Sequence, residues 1–113
     1  MKLINGLYIE DAGAVEVIHT NKSIRLPEGK NLTVFIELTP RESAMTINLP
    51  KPENSAWSYI MLMLKANTED TDVTIDCKYV FDVTTDFTLD EPLDYMLFWS
   101  DGNYWHVFNY NYS

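Results

Sequence analysis

Apolar and polar side chains alternate with a period of two over several short stretches of the chain, the pattern of strands that turn one face inward. In residues 32–38, Leu32, Val34, Ile36 and Leu38 share one face, and Thr33, Phe35 and Glu37 take the other. Residues 45–49 set Met45, Ile47 and Leu49 against Thr46 and Asn48, and residues 73–79 set Val73, Ile75, Cys77 and Tyr79 against Thr74, Asp76 and Lys78. Trp57 to Leu64 is apolar almost throughout. That suits a strand covered on both faces; periodicity alone also allows a short helix, and aromatic content and flanking turn residues favour the strand. Segments 14–19, 23–26, 85–89, 94–100 and 103–110 complete a set of about nine short strands.

Turn signals separate these segments: Asn5-Gly6, Gly13, Pro27-Glu28-Gly29, Pro40, Pro50 to Pro52 with Asn54, Thr68 to Thr71, Asp90-Glu91-Pro92 and Asp101-Gly102. The expected architecture is therefore a single all-β domain over residues 1–113, an antiparallel β-sandwich of jelly-roll-like form. The strongest local signal is the aromatic pair of segments around Asp101-Gly102. Asp-Gly favours a two-residue type I′ loop because both central residues need positive φ. With that loop, Trp99 faces Tyr104, Phe98 faces Trp105, Leu97 faces His106 and Met96 faces Val107. Both faces of the hairpin are then apolar, one carrying Tyr95, Leu97, Trp99, Tyr104, His106 and Phe108, the other Met96, Phe98, Trp105 and Val107. A small sandwich normally wets one face of each sheet, so the second face needs a cover, supplied either by another subunit or by a loop of the same chain.

Charge narrows the partners. Seventeen acidic residues against eight basic ones give a net charge of −9, and Lys22, Arg25, Lys30 and Arg41 are scattered rather than clustered. That field repels phosphates and anionic lipid surfaces, so neither nucleic acid nor membrane is an expected partner. The longest apolar run, Tyr59 to Leu64, is far short of the ~20 residues a spanning helix needs. Asn5, Gly6 and Glu10 interrupt the opening stretch before a secretory h-region develops, and Cys77 is the only cysteine. Synthesis in a reducing cytoplasm is the expectation, and Asn21-Lys22-Ser23, Asn31-Leu32-Thr33 and Asn111-Tyr112-Ser113 are then chance matches to the glycosylation triplet.

Met45-Thr46-Ile47-Asn48-Leu49-Pro50, Trp57-Ser58-Tyr59-Ile60, Asp72-Val73-Thr74-Ile75, Thr88-Leu89 and the ending Ser100-Asp101-Gly102-Asn103-Tyr104-Trp105-His106-Val107 together resemble a motif of bacteriophage fibre and appendage domains. The resemblance starts at Met45; it departs from the pattern at Asn54-Ser55-Ala56, where a glycine is common, and in the aromatic extension Phe108 to Tyr112. It implies a trimeric β-module of a head fibre, tail fibre or capsid decoration, located in the virion after synthesis in the bacterial cytoplasm, with other virion proteins and a host-surface glycan as possible further partners.

Candidate chemistry is sparse. His19 and His106 lack a Cys, His or carboxylate at ligand spacing, so no metal or other cofactor is expected. Cys77 shares an apparent core face with Val73, Ile75 and Tyr79 and reads as a buried apolar residue rather than a nucleophile. Glu69, Asp70, Asp72, Asp82, Asp86, Asp90, Glu91 and Asp94 follow no calcium-loop pattern and read as turn residues. No phosphate loop or nucleophile elbow occurs, so no enzyme is expected. The residues singled out, for a subunit interface or for stacking on a sugar, are Trp57, Phe98, Trp99, Tyr104, Trp105, His106 and Phe108. The leading expectation is a noncatalytic virion structural protein, with a monomeric carbohydrate-binding module as the alternative.

Overall fold

The computed structural model describes residues 2–4, 7–12, 15–38, 45–67 and 72–112. The expected turns at Asn5-Gly6, Gly13, Pro40 and Thr68 to Thr71, with Glu69 and Asp70, fall outside them. Among the described residues the chain forms strands β1 (Lys2–Ile4), β2 (Leu7–Ala12), β3 (Val15–Thr20), β4 (Ile24–Arg25), β5 (Asn31–Leu38), β6 (Met45–Asn48), β7 (Tyr59–Asn67), β8 (Val73–Ile75), β9 (Phe87–Leu89), β10 (Tyr95–Ser100) and β11 (Trp105–Asn111). One 3-10 turn, Pro52–Asn54, precedes β7. All nine expected strands are present, and β1 and β2 are added to them.

Two sheets pack together, a seven-stranded one in the order β1-β2-β3-β5-β7-β10-β11 and a four-stranded one in the order β4-β6-β8-β9. The shortest dimension, 18 Å, is that of two layers about 10 Å apart with their side chains. The sandwich stands, but it is mixed rather than antiparallel. From β3 to β8 the chain changes sheet at every step, so each return to a sheet comes after a full coil and in the same direction. Hence β3–β5, β5–β7, β4–β6 and β6–β8 are parallel. Antiparallel pairing is confined to the flanks, β1–β2, β2–β3, β8–β9, β7–β10 and β10–β11.

The coils carry a sequence echo. Ser23-Ile24-Arg25-Leu26-Pro27, Thr46-Ile47-Asn48-Leu49-Pro50 and Thr74-Ile75-Asp76-Cys77 lie one above another, with Ile24 paired to Ile47 and Ile47 to Ile75. The N–H of Leu26 donates to Asn48 O at 2.9 Å and that of Asp76 to Ile47 O at 3.0 Å, carrying the ladder past the strand ends. Leu26, Leu49 and Cys77 thus stack under the sheet as buried residues, while Arg25, Asn48 and Asp76 form the outward row.

Between the layers lie Ile18, Leu32, Val34, Ile36 and Leu38 from β3 and β5, Ile60, Leu62 and Leu64 from β7, Met96 and Phe98 from β10, and Met45, Ile47, Val73, Ile75 and Leu89 from the smaller sheet. Period-two patterning thus does its work: β5 alternates strictly between buried and half-buried positions. β7 departs from expectation, because only Ile60, Leu62 and Leu64 are covered while Tyr59 is exposed and Met61 and Met63 are half-buried. Its second apolar set faces outward.

Candidate functional site

The hairpin β10–β11 pairs Ser100 with Trp105, Trp99 with His106 and Phe98 with Val107. The segment between the paired strands is therefore Asp101 to Tyr104, four residues rather than the expected two, and Asp101 N–H donates to Tyr104 O at 3.1 Å across it. The cause is the Asp101 carboxylate. Its Oδ1 accepts the N–H of Asn103 at 2.7 Å and of Tyr104 at 2.8 Å, an Asx arrangement that lengthens the turn. Gly102 supplies φ +93 within it. A register shift at Leu97/Phe98 then leaves Phe108 as the extra residue of β11.

Because the shift from two to four loop residues preserves parity, the two faces are those expected from the sequence as far as Val107; beyond it Asn109, not Phe108, lies against Leu97. Trp105 and Phe98 are wholly buried, with Trp105 Nε1–H donating to Pro50 O at 2.8 Å. They fill the core and offer no surface. Trp99 and His106 lie on the outer face, where Trp99 stacks on His106 at 4.6 Å and 18°.

Ser100 ties the preceding loop to this hairpin. Its Oγ–H donates to Pro52 O at 3.0 Å, its N–H donates to Ser58 O at 3.0 Å, and its carbonyl accepts the Trp57 N–H at 2.8 Å. The tie holds Trp57 at φ +66, a left-handed conformation costly for a bulky residue. The residue is 77% exposed, and its ring lies parallel to that of Trp99, 6.0 Å away at 8°. On the other side of His106, Phe81 comes within 5.4 Å, and Tyr104 meets Phe81 edge-on at 5.4 Å. Phe81 is 54% exposed and Tyr104 45%.

A row of rings results: Trp57, Trp99, His106, Phe81, Tyr104. Of the residues expected at a site, Trp57, Trp99, Tyr104 and His106 converge here, Phe98 and Trp105 turn inward, and Phe108 stands apart on the edge strand. Sequence reasoning missed Phe81, whose place is set by the N–H of Phe81 donating to Trp105 O at 3.0 Å and by Asp82 at φ +57 turning the chain away. An Asp at left-handed φ after an aromatic residue leaves no periodic trace.

His106 Nε2–H donates to Asp101 Oδ2 at 2.7 Å. That bond, with the Tyr104 and Asn103 N–H groups, lowers the Asp101 carboxyl from 3.8 to about 2. An Asp–His pair could orient a base, but the Ser100 hydroxyl donates to Pro52 O and the Cys77 thiol is buried. Ser100 Oγ also accepts the Gly102 N–H at 3.1 Å. Cys77 is buried, and burial first, then the hydrogen bond and charge of Asp86, raise its thiol above 9.0. The acidic residues serve the backbone: Asp86 Oδ1 accepts the Cys77 N–H at 3.0 Å, and buried Asp94 accepts from Asp90 and Glu91 at 3.2 and 3.1 Å. Among the described residues no three His, Cys, Asp or Glu side chains group as a metal site. No described helix is long and apolar enough to cross a membrane.

Two depressions flank the half-buried Tyr79. The larger, about 300 Å³, is bounded by Lys51, Pro52, Glu53, Gly102 and Asn103, and the smaller, about 140 Å³, by the outward row Arg25, Asn48 and Asp76 with Lys78. Lys78 Nζ sits 5.3 Å from the Tyr79 ring centre. Both are shallow and of mixed charge. Compared with known proteins, the chain matches no family model and no curated sequence.

Proposed function

We propose that this chain is a noncatalytic structural module of a bacteriophage virion, a fibre, decoration or tail-appendage piece that works as a homo-oligomer. The observation that carries the reading is the outer face of the seven-stranded sheet. There Met61 pairs with Leu97, Met63 with Tyr95 and Tyr59 with Trp99, an apolar patch continuous with the ring row. Its far end is charged, with Lys65 Nζ 3.5 Å from Glu37 and 5.7 Å from the Phe35 ring. An apolar centre with a charged rim is the make-up of a protein interface. The trimeric order and the virion setting, with other virion proteins as neighbours, come from the resemblance of residues 45–107 to fibre and appendage domains. Function then resides in shape and burial, and no catalytic step is needed.

The test is native mass spectrometry of the purified chain with light scattering over a dilution series. A trimer or a pair of trimers is expected, and Trp99→Ala should weaken the trimer. A species that stays monomeric at every concentration refutes the proposal.

A second reading has its own support in Trp57. A tryptophan held in a strained conformation with most of its ring in solvent suits a platform for the apolar face of a sugar, so a monomeric carbohydrate-binding module is the alternative. It requires a monomer whose tryptophan fluorescence shifts on adding oligosaccharide and no longer does so in Trp57→Ala.

A further inference from the structure

The seven-stranded sheet ends at β11, and among the described residues no strand lies beyond it. The fold seals only the first residue of that edge. Trp105 N–H donates to Tyr79 O at 2.8 Å and Trp105 O accepts from Phe81, an isolated bridge at Val80, before the chain turns away at Asp82. From His106 to Asn111 the edge faces solvent, with Phe108 53% exposed and Tyr110 58%.

We infer that β11 is a pairing edge that takes β11 of a second copy, antiparallel, about a two-fold axis. Exposed edges are normally blunted by Lys, Pro or inward-pointing charges. The stretch Trp105-His106-Val107-Phe108-Asn109-Tyr110-Asn111 has no Lys, Arg, Asp, Glu, Pro or Gly, and the shift at Leu97/Phe98 is its only blunting feature. The second copy is the occupant because of charge. A chain of net charge −9 repels its own kind over most of its surface, and this strip is where two copies meet without like charges opposed. Self-pairing is also complementary: a pairing centred on Asn109 sets Phe108 against the partner's Tyr110 twice, the aromatic cross-strand contact that stabilises sheets.

This edge is separate from the sheet face invoked above, so the two contacts can be tested apart. Native mass spectrometry and sedimentation velocity would compare the unaltered chain, Phe108→Lys, and the double variant Phe108→Lys/Tyr110→Lys, with thermal melts to verify folding. The expected result is an even-numbered assembly that halves in both variants while the melt of Phe108→Lys is unchanged. Hydrogen exchange should show those amides of residues 107–111 that point away from β10 protected in the assembly and exchanging on dilution. A halved species that is monomeric keeps the edge and removes the face contact. A trimer indifferent to both variants overturns the edge and leaves the face contact standing. A monomer, an open-ended series of masses, or unprotected amides in an even assembly also overturns the inference.

Discussion

Trp99 and Trp105 sit one residue apart in the register of a single hairpin but belong to opposite faces, so replacing each by Ala should produce two different defects. Trp105 is wholly buried, and truncating a buried Trp costs about 3–5 kcal/mol through lost transfer energy and the cavity left behind. Its indole also satisfies the carbonyl of buried Pro50, and leaving that acceptor without a donor adds ~1–3 kcal/mol. Trp105→Ala should therefore lose at least about 4 kcal/mol, a large part of the roughly 5–15 kcal/mol that holds a domain together. At roughly 4 °C per kcal/mol for a chain of this size, the midpoint should fall by about 15 °C or more. Trp105→Phe keeps most of the volume and should lose about half as much. Trp99→Ala removes stacking on His106 and Trp57 worth about 0.5–1.5 kcal/mol each, so the isolated fold should survive, while association weakens by ~2 kcal/mol or more. Urea titration gives the first quantity and light scattering on dilution the second. Equal losses of stability in both variants with no change of mass would refute the division of the hairpin into a core face and an outer face.

Three further outcomes follow from local chemistry. The Asp101 carboxyl lies at about 2 in the fold against 3.8 when free, so its contribution is whole above about pH 4 and disappears as pH falls through 2. The stability gap between the unaltered chain and Asp101→Asn should shrink over that window in pH-stepped urea melts, and a gap constant from pH 5 to pH 2 would show that the His106 and backbone bonds do not act through the charge. Cys77, buried and with its thiol raised, should label with a thiol reagent only as fast as the fold opens; prompt full labelling without denaturant would remove it from the core. Trp57→Gly relieves a φ of +66 worth about 1–3 kcal/mol and gives up a stack worth about 0.5–1.5 kcal/mol, so chemical denaturation should find the folding stability unchanged or raised. A loss above about 2 kcal/mol would mean that the ring is a structural support.

Strands were legible in the sequence because a two-sheet domain imposes inside–outside alternation on each of them, and Leu32 to Leu38 shows the imprint at full strength. Partners were not legible, since alternation fixes which face a residue takes and says nothing of its neighbour. The parallel stack shows itself only when Ser23-Ile24-Arg25-Leu26-Pro27 is laid over Thr46-Ile47-Asn48-Leu49-Pro50, a repeat too short to notice without the coil. The pairing of β1 with β2, Ile4 against Leu7, is one the sequence reading missed. Asp101-Gly102 suggested a two-residue loop, but the aspartate's own side chain captured the amides of Asn103 and Tyr104 and moved the turn on. Four of the five rings were singled out in the sequence, and Trp99, Tyr104 and His106 among them had a known parity. Phe81 was not, because a backbone bridge to Trp105 put it there rather than any pattern of its own.

The parallel core of the larger sheet adds a general reason to expect a cover. Parallel strands belong, almost without exception, to sheets shielded on both faces, since the crossover that makes them parallel normally lays chain over one side and the rest of the fold over the other. Here the crossovers are strands of the second sheet, so all of them lie on the same side. β3, β5 and β7 keep an apolar outer set, Val17, Phe35, Met61 and Met63, of the kind that a helical layer covers in other parallel sheets. Among the described residues no element is placed over it. A coil wound entirely to one side therefore yields a finished core and an uncovered outer face at once, and the proposed association would cover through a neighbour what a crossover helix covers within a chain.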